Sequence, residues 1–401
     1  MTMNLKTGKL YWPITMNNVK KYGSLQENKK CDVCIIGSGS SGAFLAYQLA
    51  KENIRTIVID KRKIGMGSSS ANTGLLQFSN DKSFTSYINS FGIRKAKMHL
   101  QNCFRSISNY ENTILPTLED NPDFLKRKSL YFASKSEDIT MLKKEFANLQ
   151  AHQFPVRFLS RRDMRDSWSF EKEGAIVTEG DAEINIFKNV HYLLSAASKK
   201  GVDVFEESEI VGQKWGKNTV ELYTDNKNVI ETKYVIYATG YEAQSDIAEK
   251  NGMIVSSYAL ATNPVDYQWP EDMLIWETAR PYLYLRRTLD KRIIIGGLDE
   301  KTSDSKKRDG MLVQKRDQLL KQLFLLFPTL EGKLEPVYYW TGFFGETHNG
   351  LPMIKRHPNY SNAYYLLTYG GNGTVYSMIL SDLMKKFIVN GDSNGMELYY
   401  H

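Results

Sequence analysis

A mixed α/β protein is what this sequence predicts, a Rossmann-like parallel unit interleaved with a second, largely antiparallel domain. Three observations predict it. An apolar strand, a glycine turn, a helix and a second strand follow one another from Cys31 to Asp60, and aromatic-rich, hairpin-like segments occupy the middle of the chain. Near the end, a second glycine-rich turn enters a helix. Parallel-sheet signals at both ends with antiparallel ones between them imply two intertwined domains.

The chain has 401 residues, 42% hydrophobic and 24% charged, enough apolar material for a sizeable core and, by length, two or three domains. Its net charge of +7 comes from Lys and Arg scattered along the chain, a solvated surface without the basic, aromatic-interleaved stripe of a nucleic-acid groove. No nucleic-acid partner is therefore expected. The opening MTMNLKTGKLYWPITM lacks the apolar segment of a signal peptide, and no stretch approaches the roughly 18 apolar residues of a membrane span. The expectation is a soluble, cytoplasmic protein. Three cysteines make no disulfide framework: Cys31 and Cys34 fall in an apparent strand, where positions three apart face opposite ways, and Cys103 reads as packing. No paired Cys/His spacing suits zinc, so no metal is expected.

In chain order, residues 1–30 read as an arm packed on the surface through Tyr11 and Trp12. CDVCII, the helix SSGAFLAYQLAKEN and RTIVID form the βαβ opening. Residues 84–115 have the spacing of one long helix, followed by the strand KSLYFA and the helix DITMLKKEFANLQ. FKNVHYLLSAASKKGVDVFE repeats a helix and a strand; EIVGQKW, TVELYT and KYVIYATG read as strands, PYLYLRR and RIIIGG as a hairpin, and RDGMLVQKRDQLLKQLFLLFP as a long helix. GFFGETHNGLPMI, NAYYLLTYGGNG and TVYSMILSDLMKKFIV close the chain as loop, strand, glycine turn and helix. The predicted division is a nucleotide unit over 31–84, 155–258 and 336–401, and a second domain over 85–154 and 259–335.

Gly37, Gly39 and Gly42 form GxGxxG between strand and helix. The first permits a tight turn, the second lets a pyrophosphate approach the backbone, and the third lets helix and sheet lie close. Free amides and the positive end of the helix dipole favour phosphate there. Asp60 ends the second strand about 18 residues on, where a carboxylate accepts hydrogen bonds from ribose hydroxyls; its plainer role would be to cap the strand. An adenosine dinucleotide is the ligand this arrangement suits. Three further stretches bear on which one. KIGMGSSSANTGLLQ carries small polar side chains suited to a pyrophosphate and a ribityl chain. Ala238, Thr239 and Gly240 end an apolar strand with room for close backbone approach, and Gly370, Gly371 and Gly373 open the last helix, whose N-terminus would favour charge developing on a reduced flavin.

At these residues the chain resembles the FAD-dependent D-amino-acid-oxidase-like family, that of glycine and sarcosine oxidases and γ-glutamylputrescine oxidoreductase. GSGSSG with Asp60, SSSANTG, the ATG strand and GFFGETHNGLPMI with TYGGNGT carry the resemblance, from Cys31 to about Val389. It implies a FAD-binding domain of glutathione-reductase type and a substrate domain on a large antiparallel sheet. Carried over, it implies FAD contacts at Gly37, Ser40, Ser41, Asp60, Lys61, Ser68, Ser69, Asn72, Gly74, Ile210, Ala238, Gly371, Asn372, Gly373 and Thr374. Positions where relatives attach flavin through His or Cys are held by Ala71 and Gly342, so the FAD is expected to be noncovalent. Where relatives place an Arg that clamps a substrate carboxylate, this chain has Phe344.

The resemblance implies oxidation of a C–N bond in an amine or amino acid, with oxygen or a redox partner taking the electrons. In ETARPYLYLRRT, strand alternation puts Tyr282, Tyr284 and Arg286 on one face; the resemblance implies a substrate-facing Tyr there, Tyr282 or Tyr284, with Arg286 as a replacement anion anchor, and the plainer reading is an edge strand with solvated polar tips. Trp340, Phe343, Phe344 and Tyr369 are candidate pocket walls; Glu346 and His348 share their loop. The competing readings are an NAD-dependent dehydrogenase and a flavoprotein without small-amine turnover, such as an RNA-modification component.

Overall fold

The computed structural model describes residues 3–247 and 251–400. Strand Val33–Ile36, helix Ser40–Lys51 and strand Thr56–Ile59 form the predicted βαβ opening. The unbroken burial of Thr56–Ile59 is that of a parallel strand covered on both faces. Both strands lie inside a six-stranded sheet ordered Met353–Arg356, Ala363–Leu367, Tyr234–Tyr237, Val33–Ile36, Thr56–Ile59, Asp203–Phe205. All pairings are parallel except that of the edge strand Met353–Arg356. Helix Ser40–Lys51 packs between Ile186–Lys199 and Gly373–Asn390, so the first and last segments of the chain share one core through Phe44, Leu45, Leu193 and Ile379. Each such side chain, withdrawn from water, contributes about 1.5–3 kcal/mol.

A ten-stranded, mostly antiparallel sheet forms the other half. Its long strands Gly252–Thr262 and Pro336–Thr347 pair along nearly their whole length, which sets Gly342 opposite Ser257 and Phe344 opposite Val255. The expected hairpin is present as Tyr284–Arg287 against Ile293–Glu300. Helix Leu312–Leu326 closes one face by burying Leu319 and Leu323 with Leu260 and Ile295. A four-stranded sheet of Ile210–Trp215, Val220–Thr224, Val229–Thr232 and Lys29–Lys30 is the third unit.

Several expectations differ from the structure: GFFGET, expected in a loop, ends the strand Pro336–Thr347, and the long helix expected from Arg308 is divided into Ser305–Gly310 and Leu312–Leu326. The N-terminal segment packs through the buried Tyr11 and Trp12 as expected, but it also joins the sheets: Lys6–Lys9 is an edge strand paired to Pro336–Thr347, and Lys29–Lys30 pairs with Val229–Thr232. The long helix over 84–115 is broken into Phe84–Phe91 and Ile93–Asn109, because Gly92 adopts φ 77° and ends the first. The predicted domain boundaries assign Val156–Ser160, Gly174–Glu183, Gly252–Thr262 and Pro336–Thr347 wholly or largely to the nucleotide unit, whereas all four are strands of the ten-stranded sheet. Cys31 precedes its strand, so alternation does not separate it from Cys34; both thiols are free and share one core cluster.

Candidate active site

The glycine turn is built as its residue types require. A Cβ at Gly42 would collide with the carbonyl oxygen of Gly37, and Gly37 itself has φ 111°. Helix and strand therefore approach as closely as backbone allows, and the turn borders a cleft of about 1130 Å³ between the two halves, its Gly37 and Ser40 amides held by the Ile59 carbonyl (2.8 Å) and the Ser69 hydroxyl (3.0 Å). Gly37, Gly39, Ser40 and Ser41 line it at the helix start, with Asp60 and Lys61 after the second strand. Ser68, Ser69 and Asn72 line it from the small-residue loop, Ile210 from the third sheet, and Ala238, Thr239 and Gly240 from the end of their strand. Gly373, Thr374 and Tyr369 complete it from the C-terminal segment.

Asp60 Oδ2 accepts from the amide (2.7 Å) and hydroxyl (2.7 Å) of Ser38, and Oδ1 accepts from the Arg62 amide (2.8 Å). An ionised carboxylate has about four acceptor sites, so one remains for a hydroxyl of a ligand. Lys61 and Arg62 are drawn to Glu242, at 3.2 Å and 2.8 Å, which anchors this corner of the cleft. The hydroxyls of Ser40, Ser68 and Thr239 are buried at the cleft wall without a hydrogen-bond partner. Such groups cost about 1–3 kcal/mol each when left unsatisfied, and a phosphate or ribityl oxygen would satisfy them. The residues present thus fit FAD.

Three predicted cofactor positions act through the backbone from outside the cleft. Gly42 lies under the turn. Gly74, at φ 77°, has no space for a Cβ between the Ile184 carbonyl and the Arg286 guanidinium. Gly370, at φ 111°, donates its amide to the Gly345 carbonyl (2.7 Å) and so ties the last glycine turn to the long strand. Gly371 and Asn372 face a second, smaller cavity instead of the cleft.

That second cavity, of about 120 Å³, adjoins the cleft and shares Ser68, Asn72, Tyr241 and Phe343 with it. Tyr282, Tyr284, Phe344 and Trp340 line it, the last held by its indole donating to the Ala71 carbonyl (2.9 Å). Tyr369 walls the larger cleft, packed on Tyr241 with ring centroids 5.5 Å apart. The Tyr282 hydroxyl donates to Asp81 Oδ1 (2.6 Å) and the Gly371 amide to Asp81 Oδ2 (2.6 Å), while the Asn372 amide group donates to the carbonyls of Gln77 (2.9 Å) and Ser79 (2.6 Å). The two residues just before the last helix are thus tied to the protein's own 77–81 loop. Burial drives both tyrosine pKa values far up, so both remain neutral donors.

Arg286 is not an anion anchor facing this cavity. It is 1% exposed, and its guanidinium donates to the carbonyls of Gly74 (2.9 Å) and Ile184 (3.1 Å) and pairs with Glu183 (3.3 Å). It shares a strand face with Tyr284, but that part of the face is covered by the 73–74 loop, which Arg286 clamps. Glu346 is half-buried, with its pKa raised by burial and by the nearby Asp81; His348 is exposed in the same turn. Among the cavity residues that escaped the sequence reading are its two acids, Asp81 and Asp299. Neither stands in a motif; the tertiary fold alone brings them together.

A doubly wound nucleotide cleft adjoining a small aromatic cavity defines a dinucleotide-dependent redox protein. The chain belongs to the family of FAD-dependent oxidoreductases denoted DAO, whose pattern it matches over residues 32–386. FAD is therefore its cofactor, and NAD is set aside. It is 22% identical to γ-glutamylputrescine oxidoreductase of Escherichia coli K12 over 410 residues, 97% of this chain and 90% of that one. It is 23% identical to glycine oxidase of Geobacillus kaustophilus HTA426, over 88% and 93% of the two chains. In fold it is similar to L-proline dehydrogenase from P. horikoshii, with a TM-score of 0.75, 19% identity and coverage of 93% and 97%. Among the described residues, no helix is long and apolar enough to cross a membrane.

Proposed function

We propose that this enzyme oxidises the C–N bond of a small amine or amino acid, a hydride leaving the carbon next to nitrogen and water then hydrolysing the imine. One observation carries the reading: the aromatic cavity adjoins the cofactor cleft, the two sharing Ser68, Asn72, Tyr241 and Phe343 as lining. FAD, when bound, supplies the electron sink, so the side chains need only orient the substrate and exclude water. The unpaired hydroxyls of Ser40 and Ser68 would hold its phosphates and Asp60 its ribose. Tyr282 and Tyr284 would hold the substrate against Trp340 and Phe344. The names of the relatives, γ-glutamylputrescine oxidoreductase and glycine oxidase, support amines and amino acids as the substrate class. With Ala71 and Gly342 where covalent relatives carry His or Cys, the flavin is held noncovalently.

The test is anaerobic mixing of yellow, FAD-loaded protein with a panel of primary and secondary amines and amino acids. Bleaching of the flavin absorbance by at least one of them, followed by peroxide formation in air or reduction of an added dye, is the expected result. A flavin that stays oxidised across the panel would overturn the reading. Acid precipitation should leave the pigment in the supernatant.

A further inference from the structure

The inner cavity contains two carboxylates, Asp81 and Asp299, and no Lys, Arg or His among its described lining residues. The Arg280 guanidinium, which lies over the Tyr282 ring at 5.1 Å, donates to the carbonyls of Ala279 (2.8 Å) and Asp81 (2.8 Å). A site built to hold a substrate carboxylate would reverse this balance of charge.

The two carboxylates are not equivalent. Asp81 is satisfied on both oxygens by Tyr282 and Gly371. Asp299 sits on strand Ile293–Glu300 directly after Leu298, a non-glycine residue at φ 55°. Its Oδ1 is fully withdrawn from water and has no hydrogen-bond partner. The Ser257 hydroxyl acts on the carboxyl as a hydrogen-bond partner, but an oxygen shut off from water and left unpaired makes the charged form costly unless a cation joins it. Trp276, Tyr282 and Tyr284 line the same cavity, and aromatic faces attract ammonium groups.

We infer that Asp299 is the anchor for the ammonium of the substrate and accepts its proton, so that the enzyme takes amines lacking a carboxylate beside the reacting nitrogen. The inference rests on the C–N oxidation proposed above. In the step, one N–H bond of the ammonium breaks, an O–H bond forms on Asp299, and the nitrogen keeps the electron pair; the neutral amine so produced is the form able to lose hydride. The groups acting on Asp299 suit the exchange. Burial raises its pKa to about 7, Ser257 lowers it in part, Glu346 and Asp81 raise it, and Lys315 lowers it. Lys315 itself is bound to Glu300 (2.5 Å) and to the Leu298 carbonyl (3.0 Å), outside the cavity.

The experiment titrates FAD-loaded protein, under anaerobic conditions, with n-butylamine and with butanoate, reading the perturbation of the flavin spectrum as binding. Wild type should bind the amine at least tenfold more tightly than the acid. Asp299→Asn should keep its FAD, lose at least tenfold in amine affinity and leave butanoate affinity unchanged or improved. Phe344→Arg, a second variant in the same cavity, should reverse the preference. Equal or tighter binding of butanoate by wild type, a comparison that needs no variant, overturns the inference, as does undiminished amine affinity in a folded Asp299→Asn protein. Amine that binds through Asp299 without ever bleaching the flavin would sink the proposed oxidation and leave the anchor standing; amine that bleaches it equally in wild type and Asp299→Asn would do the reverse.

Discussion

At the scale of single residues, the chemistry of this protein depends on a few unsatisfied or partly satisfied polar atoms. Asp60 spends three acceptor sites on Ser38 and Arg62 and keeps one. Asp60→Ala should therefore weaken FAD retention about tenfold or more, since a charge-assisted hydrogen bond contributes about 1.5–3 kcal/mol. Equilibrium dialysis of the flavin measures this, with circular dichroism to show that the fold survives; full occupancy in the variant would contradict the assignment. Arg286 shows the limit of residue-scale reasoning. Alternation correctly put it on the face of Tyr284, yet its guanidinium closes a loop instead of meeting a ligand, because three carbonyls and Glu183 reach it first.

At the scale of elements, glycines decide where helices start, stop and touch. Gly92 separates two helices at φ 77° and ψ 161°, a region that side chains scarcely enter, and a Cβ there would meet nothing. Gly92→Ala thus isolates backbone strain from packing: it should lower stability by about 1–3 kcal/mol, read from urea unfolding, without changing flavin binding. No destabilisation would mean that the two helices merge at little cost. The glycine turn was legible in the sequence because its requirement is local, a collision of Cβ with a carbonyl five residues away. The helix break at Gly92 was masked, since apolar spacing continues across it and periodicity does not register one backbone angle.

At the scale of the whole molecule, burial sets the response to acid. His191, on helix Ile186–Lys199, is 3% exposed against Phe187, and burial holds its pKa down to about 4. His99, packed on Tyr399, is lowered to about 3 for the same reason. The unfolded chain binds these protons near pH 6.5 and the folded chain does not, so their contribution is complete above that pH and is lost as pH falls through it toward 4. Asp299 acts oppositely. Its folded pKa of about 7 lies above the unfolded value of 3.8, so it weakens the fold as pH rises across that window. The histidine contribution taken by itself climbs from about pH 4 to 6.5, while Asp299, Asp181 and Glu346, all raised by burial, oppose it. His191→Phe should flatten that climb in melting temperature while leaving the flavin spectrum untouched; an unchanged slope would mean that His191 is already neutral when unfolded or protonated when folded.

The sequence by itself determined the nucleotide half. GxGxxG with Asp60, the SSSANTG loop, the Ala238 strand end and the last glycine turn are short stretches whose residue types answer local backbone and charge requirements, and all of them border the cleft or support it. Only the tertiary structure decided the substrate side. Asp81 and Asp299 are separated by more than half the chain and carry no signature where they stand; they meet because antiparallel pairing folds Ile293–Glu300 beside Tyr284–Arg287 and because the amide of Gly371 holds Asp81 in place. Local requirements leave local marks in a sequence, whereas the charge of a cavity is a sum over residues that only the paired strands bring within reach of one another.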